Sequence, residues 1–495
     1  MFAALSQAAP RIPSGWLTAA DPLSAQGGVT YPTHRSILIG DTAALRALPS
    51  RRDFLRLVAT GGSLIVAGGL LAACEDATNT GGLTGPGTGA RLTIDFSKGD
   101  TALLQFAFIL EQLEADFYSR VVANFSSSDF TSADQLVLTD IANHEAVHRE
   151  VLAVNLGANG VFRITPTYGS LTFRVRADVL ATARDLEELG VAAYGGIAPY
   201  FTDAANLALA AKIVSVEGRH AATIRDLITP LSSTFAPSAF DSSVTPSAAA
   251  TEMQPFITEK LAFASAPANF SRGSTGASAS SGTPAEVVDA LQALLLVTML
   301  QASFYQRGAS QPALIPTADA TVFATIAGQK TTQVNALQVL ITSRGAVPRM
   351  RPAFDFTAKG NLVGFAFSTG QYASFAMLSM ALEDFGVRAW KDQLKTLPED
   401  SGAFTSALSM HGVQARHASV VRRLRGKKGW ISGSNRDDLP PFMQAVYDGE
   451  ENTTQGSANA LTIAASFGGS STATEAFDEP LGIAQATAFL ALFLP

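Results

Sequence analysis

The sequence predicts an all-α protein made of two four-helix bundles in tandem, each followed by a short C-terminal helix. Three observations carry that expectation. Beyond about residue 100, apolar residues recur three and four apart over long segments, with few strand-like alternations. The segments come as two sets of four, and the second set repeats residue combinations of the first. In the first set, Glu and His residues fall on apolar helix stripes, where a bundle keeps its core.

A chain of 495 residues with 47% hydrophobic and 16% charged residues has ample material for large cores and is unlike a disordered or nucleic-acid-binding chain. Its net charge of -7 gives no reason to expect a polyanionic partner. The single cysteine, Cys74, excludes an intramolecular disulfide framework and any cysteine-based metal site.

Residues 1–73 are expected to be an N-terminal extension and an export signal. Ser50-Arg51-Arg52-Asp53-Phe54-Leu55-Arg56 resembles the twin-arginine export motif, with Arg56 where Lys is more usual. A Gly- and Ala-rich apolar stretch, Leu57 to Ala73, suits a signal core better than a permanent span. It ends in Leu71-Ala72-Ala73-Cys74, which resembles a bacterial lipobox. Signals of that type are cut before the cysteine, which then carries a lipid. The resemblance therefore implies a periplasmic or cell-surface lipoprotein, with the membrane as a partner through Cys74. Residues 1–49 have no evident role, and a misassigned start codon is the reading adopted. Residues 74–99, Gly/Thr-rich at first, are read as a flexible tether.

The first bundle is expected over residues 100–262, with helices near 101–124, 132–157, 173–198 and 203–228 and a weak helix near 246–262. A Ser/Ala/Pro-rich linker, 263–283, follows. The second bundle is expected over 284–428, with helices near 284–307, 318–343, 370–396 and 402–425. Residues 429–495 read as a polar tail ending in an apolar helix at 481–494. The copies align through specific residues. Leu113, Ala115, Phe117, Tyr118 and Arg120 match Leu300, Ala302, Phe304, Tyr305 and Arg307. Ile141-Ala142 matches Ile326-Ala327, and Gly160 falls on Gly345. Leu186-Glu187-Glu188 matches Leu382-Glu383-Asp384, and Arg219-His220-Ala221 matches Arg416-His417-Ala418. In the tails, Ala239-Phe240-Asp241 matches Ala476-Phe477-Asp478.

The chemistry-bearing residues lie on the inner stripes. Leu138, Ile141, Glu145, His148 and Leu152 form one stripe of the second helix. Ile213, Glu217, His220, Ile224 and Leu227 form the same stripe in the fourth, and Leu180, Glu187, Val191 and Tyr194 do so in the third. Buried carboxylates are costly unless paired or bound to metal. Glu-x-x-His on two helices, with one Glu from each of the others, can hold two metal ions: hard carboxylate oxygens bridge the cations and each imidazole caps one.

This pattern resembles the ferritin-like superfamily, closest to exported bundles related to desiccation-related proteins, over about residues 100–260 and again, diverged, in the second half. The resemblance implies two metal ions, iron first and manganese second. In that superfamily the Glu of the first and third helices is followed by Tyr seven residues later, which selects Glu111 with Tyr118 and Glu187 with Tyr194. The implied ligands are Glu111, Glu145, His148, Glu187, Glu217 and His220. Helical projection of the first helix instead places Glu114 more centrally than Glu111, so Glu114 stands as an alternative or supporting residue. Tyr118 and Tyr194 read equally as core packing or as donors to the ligands. Glu150 and Glu188 read as solvated helix charges, and His34, His144 and His411 as surface or linker residues.

At the matching positions of the second bundle, Glu111 becomes Thr298, Glu114 becomes Gln301, Glu145 becomes Lys330, His148 becomes Gln333 and Glu217 becomes Gln414. Glu383 and His417 survive. Two ligands cannot hold a metal pair, so this bundle is expected to be a packing or interaction domain. Lys330 is expected to fill the degenerate site beside Glu383, with Gln333, Gln414 and Thr298 satisfying what remains. The functions implied are a lipid-tethered di-metal protein handling iron, oxygen or peroxide, or a stress-protective envelope protein whose metals are structural. Whether it is an enzyme stays open, as does the existence of a protein partner or oligomer. An iron-storage cage fits less well, because a second bundle and a lipid anchor obstruct a closed shell.

Overall fold

The computed structural model describes residues 89–158, 160–265, 284–351, 353–397 and 402–495. The export motif, Cys74 and His34 lie outside them. The first bundle consists of α1 (Asp100–Ala123), α2 (Ser132–Leu156), α3 (Arg176–Ile197) and α4 (Ala204–Ile228), with α5 (Pro246–Met253) laid against α3. The second consists of α6 (Pro284–Ala309), α7 (Ala320–Thr342), α8 (Tyr372–Leu394) and α9 (Gly402–Leu424). In each bundle the helices pack mainly as consecutive pairs, α1 on α2, α3 on α4, α6 on α7 and α8 on α9.

Local chemistry sets the helix starts. Thr131 and Asp134 form a reciprocal capping box at the start of α2, and Arg176 ties the start of α3 to Asp134 at 2.8 Å. Asp203 caps α4 through the backbone N–H of Ala205 and Asn206. Thr245 caps α5, and Pro246 takes its first turn, where a missing N–H costs nothing. Among the described residues one helix, Ala285–Ala309, is long and apolar enough to cross a membrane, but it runs mostly buried inside its bundle.

Two expectations need correction. The tether read over 74–99 is ordered in its last part: β1 (Arg91–Asp95) pairs in parallel with β2 (Lys260–Ala264), whose backbone satisfies it. The weak helix near 246–262 accordingly ends at Met253 and gives way to that strand. The tail from 429, read as polar, also holds apolar residues in its interior. Trp430, Ile431, Leu439, Met443, Val446 and Tyr447 are buried among its polar residues. The tail carries the small hairpin β3 (Thr454–Gln455) and β4 (Ala458–Asn459). Its short helices α10 (Ala460–Ala464) and α11 (Ser470–Glu475) pack on α2 of the first bundle. The last helix, α12 (Ile483–Ala491), returns to α8 of its own bundle.

The bundles join through α4 and α9, which approach closely at glycines: a Cβ on Gly218 would sit 3.0 Å from the Gly412 carbonyl oxygen. The contact is reciprocal, as an isologous interface would be. Arg219 Nε lies 2.8 Å from Asp478, and its counterpart Arg416 lies 2.9 Å from Asp241. Arg219 also meets Asp384 at 3.2 Å, and Arg416 meets Glu188, the Asp384 counterpart, at 2.7 Å. Glu188 is therefore not a solvated charge: it is half-buried, and Arg416 and Arg225 hold its carboxyl down at about 2 against the opposing effect of burial. Each bundle's C-terminal segment thus crosses onto the other bundle before returning.

Candidate metal centre

In the first bundle, Glu111, Glu114, Glu145, His148, Glu187, Glu217 and His220 are all buried at one level of the core. Two overlapping ligand sets emerge. Glu111, Glu145, His148 and Glu217 offer atoms within 4.8 Å of one another, and so do Glu145, Glu187, Glu217 and His220. Glu145 and Glu217, the two residues of the Glu-x-x-His spacings, belong to both sets. His148 and His220 face the same interior, their ring centroids 6.4 Å apart.

Both tyrosines donate to ligand carboxylates. Tyr118 on α1 bonds Glu187 on α3 at 2.5 Å, and Tyr194 on α3 bonds Glu111 on α1 at 2.5 Å. The two bonds connect the helices in opposite senses, as antiparallel neighbours require. The seven-residue Glu–Tyr spacing thus lets each helix hold the other's carboxylate. Glu114 lies near Gly190, where an added Cβ would fall 2.8 Å from Glu217 Oε2 and 3.1 Å from Glu114 Oε1. Gly190 therefore leaves room for both carboxylates.

These residues fit a metal pair on their own geometry. Glu111 Oε2, Glu145 Oε1, Glu187 Oε2, both oxygens of Glu217 and of Glu114, and His220 Nδ1 are buried without a hydrogen-bond partner. Some are nonetheless close: His220 Nδ1 is 2.8 Å from Glu145 Oε1, and His148 Nδ1 is 3.2–3.4 Å from Glu145, Glu217 and Glu111. Of these contacts the one between His148 and Glu145 has hydrogen-bond geometry, and a cation, unlike an N–H, accepts ligands from many directions. Hard oxygen donors with one imidazole in each set are a donor combination that could hold metal ions.

The electrostatics show the strain of leaving such a cluster to protons. Burial pushes the Glu111 carboxyl up to about 7. Burial, reinforced by Glu217 and Glu145, raises Glu114 well above the carboxylate range, and burial with Glu145 does the same to Glu217. Burial would lower both histidines, but Glu111 and Glu145 raise His148 well above its ordinary value, and Glu187 with Glu145 raises His220 to about 10.

His144 was expected at the surface and is instead buried beside the centre, its Nδ1 2.9 Å from His220 Nε2 and its Nε2 3.5 Å from Glu475. Trp430 meets both His144 and His220 edge-on, with centroids at 4.9 and 5.6 Å, and Phe477 packs on His148 at 5.5 Å. His411 is also buried, in the interface, where burial lowers its imidazole to about 3. Glu150 is half-exposed and pairs only with its neighbour Arg149. One sequence observation could have flagged His144: its counterpart Gln329 is also polar.

In the second bundle Lys330 Nζ lies 2.7 Å from Glu383 Oε2, both fully buried, and also donates to Gln414 Oε1. Gln414 in turn donates to Gln333 at 2.9 Å. His417 Nδ1 is 3.7 Å from Glu383. Thr298 takes no part in that network, because its hydroxyl turns back to the Leu294 carbonyl of its own helix at 2.7 Å. Gln301, at the Glu114 position, donates to the Leu382 carbonyl at 2.8 Å.

No curated protein matches this chain. A family model does, twice, with each match lying on one of the two bundles: the chain belongs to the ferritin-like domain family, over residues 99–230 and 286–427.

Proposed function

We propose that the first bundle holds two redox-active metal ions, iron by preference and manganese as the alternative, and handles iron, dioxygen or peroxide by ferroxidase, oxidase or catalase-like chemistry. The observation that carries this reading is the pair of overlapping ligand sets sharing Glu145 and Glu217. A metal pair held by these residues would supply Lewis acidity and electrons to an oxygen species. The protein's own residues do the rest. Glu145 and Glu217 supply oxygens to both positions, and Tyr118 and Tyr194 orient Glu187 and Glu111. Trp430 and Phe477 exclude water. Protein purified from its own compartment is expected to contain iron or manganese and to oxidise ferrous iron or consume peroxide. Bound metal with no turnover of either would favour the structural-metal, stress-protective reading.

The same proposal places the protein outside the cytoplasm, exported by the twin-arginine route and tethered through lipid on Cys74. Its support is the order of Arg51-Arg52, the apolar stretch and the single cysteine. Replacing Arg51 and Arg52 with Lys is expected to leave the precursor in the cytoplasm, and Cys74→Ala to abolish lipid labelling and release the protein from membranes. Unchanged membrane association in both variants would point to a plain signal anchor.

A further inference from the structure

The ligating histidines have a second face. Each turns Nδ1 toward the carboxylates, leaving Nε2 to find a partner elsewhere. His148 Nε2 lies 2.6 Å from the Ala476 carbonyl oxygen. His220 Nε2 lies 2.9 Å from His144 Nδ1, and His144 Nε2 continues to Glu475 at 3.5 Å. Glu475 and Ala476 are consecutive, and neither belongs to the first bundle: they end α11 in the extension of the second. Glu475 is anchored there by Ser471 at 2.7 Å and Lys428 at 3.0 Å, and by Ser432.

The second bundle carries a related arrangement, in which the direction of the bonds can be read. Gln329 stands at the His144 position. Its Oε1 lies 2.7 Å from His417 Nε2 and its amide nitrogen donates to the Ala236 carbonyl. Gln333, at the His148 position, donates to the Ala239 carbonyl at 2.9 Å, as His148 does to Ala476. Ala236 and Ala239 come from the first bundle's C-terminal segment. An amide can bridge the two groups only if His417 donates from Nε2, because a backbone carbonyl only accepts. By the same polarity His220 donates Nε2–H to His144, whose own Nε2 faces the Glu475 carboxylate at 3.5 Å, an ion-pair distance without hydrogen-bond geometry.

We propose that Glu475 and the Ala476 carbonyl, carried across by the second bundle, are positioning groups for the metal centre: they hold both histidines with Nδ1 free for metal, Ala476 acting on His148 directly and Glu475 on His220 through His144. The inference rests on the di-metal reading above. It gives the degenerate bundle a part in the live site, since that bundle's extension supplies the outer partner of His148 directly and that of His220 through His144. Outer partners of this kind fix the tautomer and ring orientation of metal-ligating histidines, and losing one costs about 10–100-fold in metal affinity.

The test uses the full chain and cobalt(II) as probe, its affinity read by competition with a chelator and its geometry by the visible absorption of the bound ion. His144→Leu and Glu475→Leu are each expected to weaken binding about 10–100-fold and to alter the spectrum. His144→Gln, which installs the side chain the second bundle uses at Gln329, is expected to keep wild-type affinity and spectrum. Folded Leu variants with wild-type affinity and spectrum would overturn the proposal. Should the Leu variants fail to fold, the wild type decides. In zinc-loaded protein labelled with 15N-histidine, His148 and His220 are expected to carry slowly exchanging protons on Nε2. Nε2 ligation, or rapid exchange there, would overturn the assignment. Glu145→Ala separates the two levels: cobalt binding equal to wild type in that variant defeats the di-metal reading itself, whereas its loss alongside unaffected Leu variants defeats only the positioning role.

Discussion

Glu145→Ala is expected to empty the centre of both metals, whereas Glu111→Ala or Glu187→Ala is expected to leave one. The asymmetry follows from membership in the two ligand sets. Glu145 and Glu217 serve both, Glu111 and His148 serve one, and Glu187 and His220 serve the other. Removing a shared carboxylate takes a donor from each position and the negative charge that keeps two cations together. Removing Glu111 or Glu187 leaves the opposite set whole. Metal analysis should therefore fall from two ions per chain to near zero in Glu145→Ala and Glu217→Ala, and to about one in the terminal variants. Glu150→Ala is the control, on the same helix but half-exposed. Equal metal content in Glu145→Ala and Glu150→Ala would sink the assignment.

The same variant should also lose the stabilisation that metal confers. In the metal-free protein Glu145 is held ionised, below the carboxylate range: burial acts to raise its pKa, and His148 and His220 overcome it. Burial and neighbouring carboxylates raise Glu217 and Glu114. Deleting Glu145 removes the ion pairs that hold it ionised, so metal-free Glu145→Ala is expected to melt below the wild type. Saturating metal adds about 4 kcal/mol to a native state at a thousand times its Kd. That increment should appear in the wild type and vanish in Glu145→Ala. Thermal melts with and without metal give both readings.

What could be read from the sequence was set by periodicity within single helices. Glu145 and His148, or Glu217 and His220, share a stripe with Leu and Ile at three- and four-residue intervals, and in a bundle that stripe has one destination. The choice between Glu111 and Glu114 was harder because α1 is apolar nearly all round, and in the structure both carboxylates are buried at the centre. What could not be read was anything set by segments far apart in the chain. His144 sits next to Glu145 and so projects about 100° away from it around the helix. That face appears solvent-bound until α11, more than 300 residues later, is known to cover it. Glu188 was misjudged for the same reason, since Arg416 reaches it from the other bundle. The polar composition of the tail concealed its role because its polar groups bond across the interface, as Asp478 does with Arg219.

Lys330→Met is expected to cost about 3–5 kcal/mol, and adding Glu383→Gln to recover most of the loss. Lys330 and Glu383 are fully buried with 2.7 Å between Nζ and Oε2, and no exposed group competes for either. Burial lowers the Lys330 ammonium to about 8, yet Glu383 keeps it charged at neutral pH. Burial alone would raise Glu383, and Lys330 with His417 overcomes it, leaving the carboxyl below its ordinary value. Methionine fills the volume of the lysine stem but leaves Glu383 an uncompensated buried charge. In the double variant a neutral amide replaces that charge and can bond Gln414 and His417. The pH dependence supplies a second, independent check. In the wild type the folded pKa of Glu383 lies below its unfolded value. Its contribution is therefore present above about 4.5 and is lost as pH falls through the folded value. In Lys330→Met the cation is gone and burial raises the folded pKa above the unfolded one. The penalty is then full at neutral pH and is relieved as Glu383 takes up a proton. The stability gap between wild type and Lys330→Met should therefore narrow as pH is lowered from 7 toward about 4. Chemical denaturation of the four proteins in the cycle, at both pH values, measures the coupling directly. Additive losses, or a gap that does not move with pH, would mean that Lys330 does not neutralise Glu383 in the second bundle.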